Sequence, residues 1–295
     1  MIAERTTTTS SGVVLWSQSW GRPGDPVVLL VMGANANALG WPDEFVEALV
    51  ARGLRVIRYD HRDTGRSTHF DITAYGVADL AADAVAVLDG HGVEAAHVVG
   101  LSMGGTLGQV LALDHPGRVR SLVLMLTAAL DVDFGAALSG ARDGEPGGLP
   151  VPSSEVVAVL AHRADPVSDV EAALDRRVAE WRVLAGGELP FDAARFRAWE
   201  RAAIEHAGTA RQPSAHGRAV PVPVERGAEL ARVAVPALVV QGAVDPVNPV
   251  PHGAHLAGLI PGARCVTVPG LGHALPAALH PLLVDLVAGH VSAAG

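Results

Sequence analysis

Short apolar runs and amphipathic stretches alternate with a steady rhythm over the first 125 or so residues, and that rhythm restricts the fold more than any other feature. Val27–Val31 is an unbroken run of Val and Leu, the composition of a strand covered on both faces. Phe45, Leu49 and Val50 follow at helical spacing within Pro42–Ala51. Arg55–Tyr59 reads as the next strand, and Val77–Leu88 places Leu80, Ala84, Val87 and Leu88 on one helical face. Ala95–Leu101, Met103–Leu113 and Val119–Leu126 continue as strand, helix and strand. Parallel neighbours need a crossover long enough to hold a helix, so the pattern predicts an α/β chain with a mostly parallel, doubly wound sheet. Val13–Trp16 alternates in character and fits an antiparallel edge at the start.

The rhythm breaks after Leu130. Residues 140–153 are rich in Gly, Pro and Ser, as expected of an exposed connection. From Glu155 to about Gly208 the chain is more polar and helical in spacing, most clearly over Glu171–Leu184 and Asp192–His206, where Asp192 suits an N-cap. After a Pro-rich stretch at 211–224 the alternation returns: strand Ala237–Gln241, helix Pro251–Leu259, strand Arg264–Val268 and closing helix Pro276–Val287. Residues 1–130 and 226–295 therefore read as two parts of one core, and 131–225 as a helical cap inserted before the last two strands. The Thr and Ser run at 6–11 is expected to fray.

With 295 residues, 49% of them hydrophobic and 18% charged, the chain can bury a substantial core. Its net charge of −9 repels phosphate backbones and argues against a nucleic-acid partner. Cys265 stands alone, so no intrachain disulfide forms. The start, Met1-Ile-Ala-Glu-Arg, has an acidic residue and no apolar stretch behind the arginine, unlike a signal peptide. No window approaches about twenty uninterrupted apolar residues, so no membrane partner is expected and a cytoplasmic location is. The oligomeric state stays open.

Gly100-Leu101-Ser102-Met103-Gly104 has the form G-x-S-x-G and sits between a predicted strand and a predicted helix. A sharp strand–turn–helix crowds its central residue, needs small neighbours, and lifts a serine Oγ above the sheet at a helix N-terminus that favours developing negative charge. A serine rather than an aspartate at this turn points to acyl chemistry. A serine hydroxyl needs a base. Of the 13 histidines, His273 fits best, because Pro269-Gly-Leu-Gly-His-Ala274 is a glycine-flanked loop directly after the last strand. Asp245, in Gln241-Gly-Ala-Val-Asp-Pro246, follows the penultimate strand and keeps the chain order serine, acid, histidine. Asp131, after Val119–Leu126, is its rival. His252 and His255 have an i, i+3 spacing, but no Cys, Asp or Glu completes a metal set around them, so they read as surface helix residues and no metal is expected.

An acyl-transfer site also needs donors for an oxyanion. The N–H of Met103, next after the serine, is one; Ala34, in the loop Met32-Gly33-Ala34-Asn35 after the first buried strand, offers the second. Met32 and Gly33 are expected to floor the substrate pocket; Trp181, Leu184, Phe191, Phe196 and Trp199 of the insertion either line it or pack the inserted helices together, as helical spacing favours for most of them, and His206 can touch substrate. His216 too lies where it can meet substrate. The dense patch Tyr59-Asp-His-Arg-Asp-Thr-Gly-Arg-Ser67 reads as structural, with Asp60, Arg62 and Arg66 knitting the turn by ion pairs.

These motifs together resemble the α/β-hydrolase superfamily over nearly the whole chain. More narrowly, Leu39-Gly-Trp-Pro-Asp-Glu-Phe45, Ile57–Ser67, Gly100–Gly104, His252–Ile260, Glu180-Trp-Arg-Val183 and Pro190-Phe-Asp192 are similar to the aclacinomycin methylesterase family of anthracycline biosynthesis. The resemblance implies a serine esterase that removes a methyl ester from a fused aromatic polyketide without any cofactor. Its nucleophile, acid and base fall on Ser102, Asp245 and His273, and its oxyanion donors on Ala34 and Met103. Ala34 replaces a glycine common in that family, which narrows the acyl site. The same scaffold also serves general esterases, lactonases, carbon–carbon bond hydrolases and non-catalytic binding proteins, because function resides in the pocket.

Overall fold

The computed structural model describes residues 2–70, 74–138, 148–163, 165–211 and 213–295. Most of the Gly- and Pro-rich connection expected at 140–153 lies outside them. The first core part runs β1 (Ile2–Thr8), β2 (Val14–Trp20), β3 (Val27–Val31), α1 (Asp43–Ala51), β4 (Arg55–Tyr59), α2 (Val77–Gly90), β5 (Ala96–Leu101), α3 (Met103–Asp114) and β6 (Val119–Met125). Between β6 and β7 are inserted α4 (Phe134–Leu138), α5 (Ser154–Ala161), α6 (Val170–Leu184) and α7 (Ala193–Ala207), followed by 3-10 turns at Ala215–Arg218 and Val224–Arg232. The chain closes with β7 (Ala237–Gly242), α8 (His252–Leu259), β8 (Arg264–Val268) and α9 (His280–Ala294).

The eight strands form one sheet in the order β1-β2-β4-β3-β5-β6-β7-β8. β1 and β2 are antiparallel to their neighbours, and the pairs from β4 through β3 to β8 are parallel. The period of two divides the fully buried strands between two cores. Leu29, Val31, Val98 and Leu124 face Leu80 of α2, Leu107 of α3 and Leu256 of α8. Val28, Leu30, Val99 and Val123 face Phe45 and Leu49 of α1 and Leu283 and Val287 of α9. Both faces are covered, which is why the strands read as continuous apolar runs rather than as alternation.

Two expectations are corrected by the fold. Thr6–Thr8 do not fray: they complete β1, which pairs with all of β2 in register, Thr8 opposite Val14. Backbone hydrogen bonds hold this edge although its side chains are exposed, and hydropathy does not record them. Val14–Trp20 is consequently the second strand, not the edge. The stretch Ala277–Ala294 has a mean hydropathy of 1.3 and is, by length and composition alone, apolar enough to cross a membrane. In the fold its Leu283, Val284, Val287 and Val291 are buried against the sheet.

The inserted helices are defined by their ends more than by apolar content. Asp169 accepts the Ala172 N–H at the start of α6, Asp192 accepts the Arg195 N–H at the start of α7, and left-handed Gly208 ends α7. Ala173, Leu174 and Ile204 form the buried stripe between α6 and α7. Ion pairs from Arg197 to Asp175 at 2.5 Å and from Arg201 to Glu171 at 2.6 Å lace the exposed side.

Candidate active site

The turn from β5 to α3 puts Ser102 in the left-handed region, with φ 55°. Its surroundings explain the small residues beside it. A Cβ on Gly100 would sit 2.1 Å from the Gly104 carbonyl oxygen, and one on Gly104 would sit 2.0 Å from the Val31 carbonyl oxygen. Helix α3 thus starts in backbone contact with β3, and the strained serine is held from both sides. The Ser102 N–H donates to the Met125 carbonyl at 2.9 Å, tying the turn to β6.

His273 and Asp245 reach the same rim from the loops after β8 and β7. Ser102 Oγ lies 2.9 Å from His273 Nε2. His273 Nδ1 lies 3.0 and 3.1 Å from the two oxygens of Asp245. Asp245 is 2% exposed, and its Oδ1 also accepts the backbone N–H of Val247 at 2.8 Å and of Asn248 at 3.0 Å. A carboxylate oriented by two backbone donors holds one histidine tautomer, Nδ1–H toward the acid, and leaves Nε2 free to accept from a serine hydroxyl. The insertion helps to seat this loop: the His273 N–H donates to the Leu184 carbonyl at the end of α6, 2.6 Å away, and a Cβ on Gly272 would meet the Ala185 oxygen at 2.3 Å.

Asp131, the alternative acid, is not at this rim. Its carboxylate lies 2.8 Å from His255 Nε2, on the α8 side of the sheet. His252 is not a surface residue either: it is 2% exposed, with Nε2 2.8 Å from the Pro150 carbonyl.

The loop after β3 passes over the serine. A Cβ on Gly33 would lie 3.3 Å from Ser102 Cβ. Neither the Ala34 nor the Met103 N–H donates to another of the described residues. Met103 opens α3, where N–H groups have no partner in the helix. Met32, Gly33, Ala34, Ser102 and His273 line a cleft whose walls include Leu184, Trp181 and Trp199 from the insertion. Two ion pairs join charged wall residues: Arg177 with Glu200 at 2.9 Å and Arg163 with Glu180 at 3.2 Å.

Three residues expected to meet substrate lie elsewhere: His216 is buried, its ring bonded to the Asn35 N–H and the Arg62 carbonyl. His206 faces the core, its Nε2 2.7 Å from Asp60 Oδ2 and its ring edge-on to Trp16. Phe191 stacks on Phe196 at 4.7 Å with Arg182 above it. Helical spacing alone cannot separate the face of α7 that meets the core from the face that meets the cleft. The 59–67 patch is structural, but its charges pair outward rather than with one another. Arg62 makes a bidentate pair with Asp83 of α2 at 2.7 Å. Asp60 accepts the N–H groups of Ala38 and Arg66, and Arg66 reaches Glu4.

Sequence reasoning did not foresee that the insertion is bonded directly to the loop after β3. Asn35 N–H donates to His216 Nδ1 at 2.8 Å, Asn37 Nδ2 donates to the Ala203 carbonyl at 3.0 Å, and Trp199 Nε1 donates to the Leu39 carbonyl. Nothing in the local composition around residues 35 or 216 signals a contact between segments so far apart.

Residues 26–276 match the family model described as alpha/beta hydrolase fold. The chain is 51% identical to the rhodomycin D methylesterase DnrP of Streptomyces peucetius and 50% identical to the rhodomycin D methylesterase DauP of Streptomyces sp. strain C5, each over 97% of both chains. Among solved structures, a hydrolase from Pseudomonas aeruginosa superposes with a TM-score of 0.70 at 29% identity, covering 99% of this chain and 97% of that one.

Proposed function

The chain belongs to the alpha/beta hydrolase fold family, and from that premise we propose that it is a serine esterase cleaving the carboxylic methyl ester of an anthracycline-type aromatic polyketide. The substrate class follows the rhodomycin D methylesterases, which the chain matches from end to end. The observation that carries the chemistry is the continuous relay Ser102 Oγ, His273 Nε2, His273 Nδ1, Asp245, with each step at 2.9 to 3.1 Å.

In this reading His273 takes the Ser102 proton as Oγ bonds to the ester carbonyl carbon. The carbonyl oxygen takes the negative charge and is held by the Ala34 and Met103 N–H groups; each such donor lowers the barrier by about 3–4 kcal/mol. Asp245 stabilises the imidazolium that forms. The tetrahedral centre collapses, the methoxide leaves with the proton from His273, and an acyl-serine remains. Water, deprotonated by His273, attacks the acyl carbon and releases the free acid and Ser102. The aromatic wall of Trp181 and Trp199 presents flat apolar surface to a fused ring system.

The test is methanol release from an anthracycline methyl ester, wild type against Ser102→Ala, with fluorophosphonate labelling of Ser102 run in parallel. Release abolished by Ser102→Ala supports the proposal. Labelled Ser102 without methanol release overturns the substrate class, and failure to label Ser102 overturns the chemistry.

A further inference from the structure

We infer that His216, on the inserted segment, is a positioning residue that sets the conformation of the oxyanion loop. This rests on the reading of Ala34 as an oxyanion donor. Residues Gly33 to Ala36 form a turn closed by a long hydrogen bond, Ala36 N–H to the Gly33 carbonyl at 3.4 Å. Its third residue, Asn35, has φ 63°, the left-handed conformation that a turn of the second type demands at that place. The central peptide of such a turn, here Ala34–Asn35, is the unit that flips between turn types. A closing bond of 3.4 Å does little to choose its orientation.

His216 makes that choice from outside. Its Nδ1 accepts the N–H of the central peptide at 2.8 Å, and its backbone N–H donates to Asn35 Oδ1 at 3.2 Å. The ring cannot turn over, because its Nε2–H donates to the Arg62 carbonyl at 2.9 Å. His216 is 7% exposed and lies edge-on to His61, whose Nε2 bonds to the Met32 carbonyl at 3.0 Å on the other side of the same loop. Burial pushes the His216 pKa down, keeping the neutral form whose Nδ1 can accept. The Ala34–Asn35 plane fixed in this way adjoins the Gly33–Ala34 plane, which carries the N–H assigned above as an oxyanion donor. A flip would turn the loop's dipoles and move the Ala34 donor.

His216→Asn and His216→Gln separate this role from simple packing. Asn carries its acceptor oxygen at the reach of Nδ1, and Gln carries its amide at the reach of Nε2. Activity on p-nitrophenyl butyrate and inhibition by a trifluoromethyl ketone, which forms a tetrahedral adduct on Ser102, are measured for both variants, with thermal midpoints. The expected result is a kcat at least 10-fold higher in the Asn than in the Gln variant. KM should stay within about 3-fold of wild type, and ketone affinity should fall in parallel with kcat. An equal loss in both, a larger loss in Asn, or a rise in KM at unchanged kcat overturns the inference, the last because it makes His216 a substrate contact. Should either variant fold poorly, Asn35→Gly, which keeps the left-handed backbone and removes only the side-chain half of the contact, is expected to retain kcat within about 5-fold; a larger loss overturns the inference. Wild-type protein that neither hydrolyses the butyrate nor binds the ketone refutes the underlying assignment instead.

Discussion

Replacing Gly104 by Ala tests whether the serine turn depends on backbone contact between α3 and β3. The added Cβ would lie 2.0 Å from the Val31 oxygen and 2.7 Å from its carbon. Both are main-chain atoms of a central, fully buried strand, so neither can rotate away. An ordinary contact begins near 3.4 Å, so α3 must retreat by more than an ångström. Overpacking of this kind costs about 1–3 kcal/mol, and more when backbone must move. The intrinsic preference of Ala over Gly in a helix returns at most about 1 kcal/mol. The expected net loss is about 3 kcal/mol, a large part of the roughly 5–15 kcal/mol that holds a domain folded. A displacement of about 1 Å at Ser102 should further lower its labelling rate by about 100-fold. Gly289 supplies the control: it lies within α9, and a Cβ there meets nothing within 4 Å. Gly289→Ala should therefore stabilise by up to about 1 kcal/mol without touching reactivity. Urea unfolding and fluorophosphonate labelling kinetics read both effects. Gly104→Ala protein as stable and as reactive as wild type would refute the steric account of the turn.

Three further outcomes are expected. Asp245→Asn keeps the Val247 and Asn248 bonds but presents an amide to His273 Nδ1, favouring the wrong tautomer; kcat should drop by roughly 10³–10⁴-fold with little change in KM, and steady-state kinetics showing less than a 10-fold drop would remove Asp245 from the relay. Burial and the neighbouring His216 hold the His61 pKa near 3, below the unfolded 6.5. The unfolded chain therefore binds the extra proton first, and this stabilisation is complete above pH 6.5 and is lost as pH falls toward 3. By pH 5 about 2 kcal/mol of it has been lost, so His61→Gln should show an acid-induced loss smaller by that amount in urea titrations at pH 7.5 and 5. Asp83→Ala strands the buried Arg62 guanidinium and should cost about 3–5 kcal/mol, whereas Arg62→Met combined with Asp83→Leu recovers most of it; a single variant within about 1 kcal/mol of wild type would show the pair to be dispensable.

Hydrophobic period and short-range turn chemistry made the α/β core readable in advance. An apolar run such as Val27–Val31 can be buried on both faces only within a covered sheet, and Gly100–Gly104 between a strand and a helix can form only a crowded turn. Chain order then placed Asp245 and His273 on the loops that meet Ser102. Periodicity reports that a face is buried, however, and not against what. His206 carries the same signal as Trp199, yet the packing of α7 turns His206 to Asp60 and Trp199 to the cleft. Backbone pairing of β1 leaves no mark on hydropathy, and the bond from Asn35 to His216 joins residues 181 positions apart. Such contacts exist only once the insertion has docked on the core, because their energy comes from orienting single donors and acceptors across an interface rather than from removing apolar surface from water.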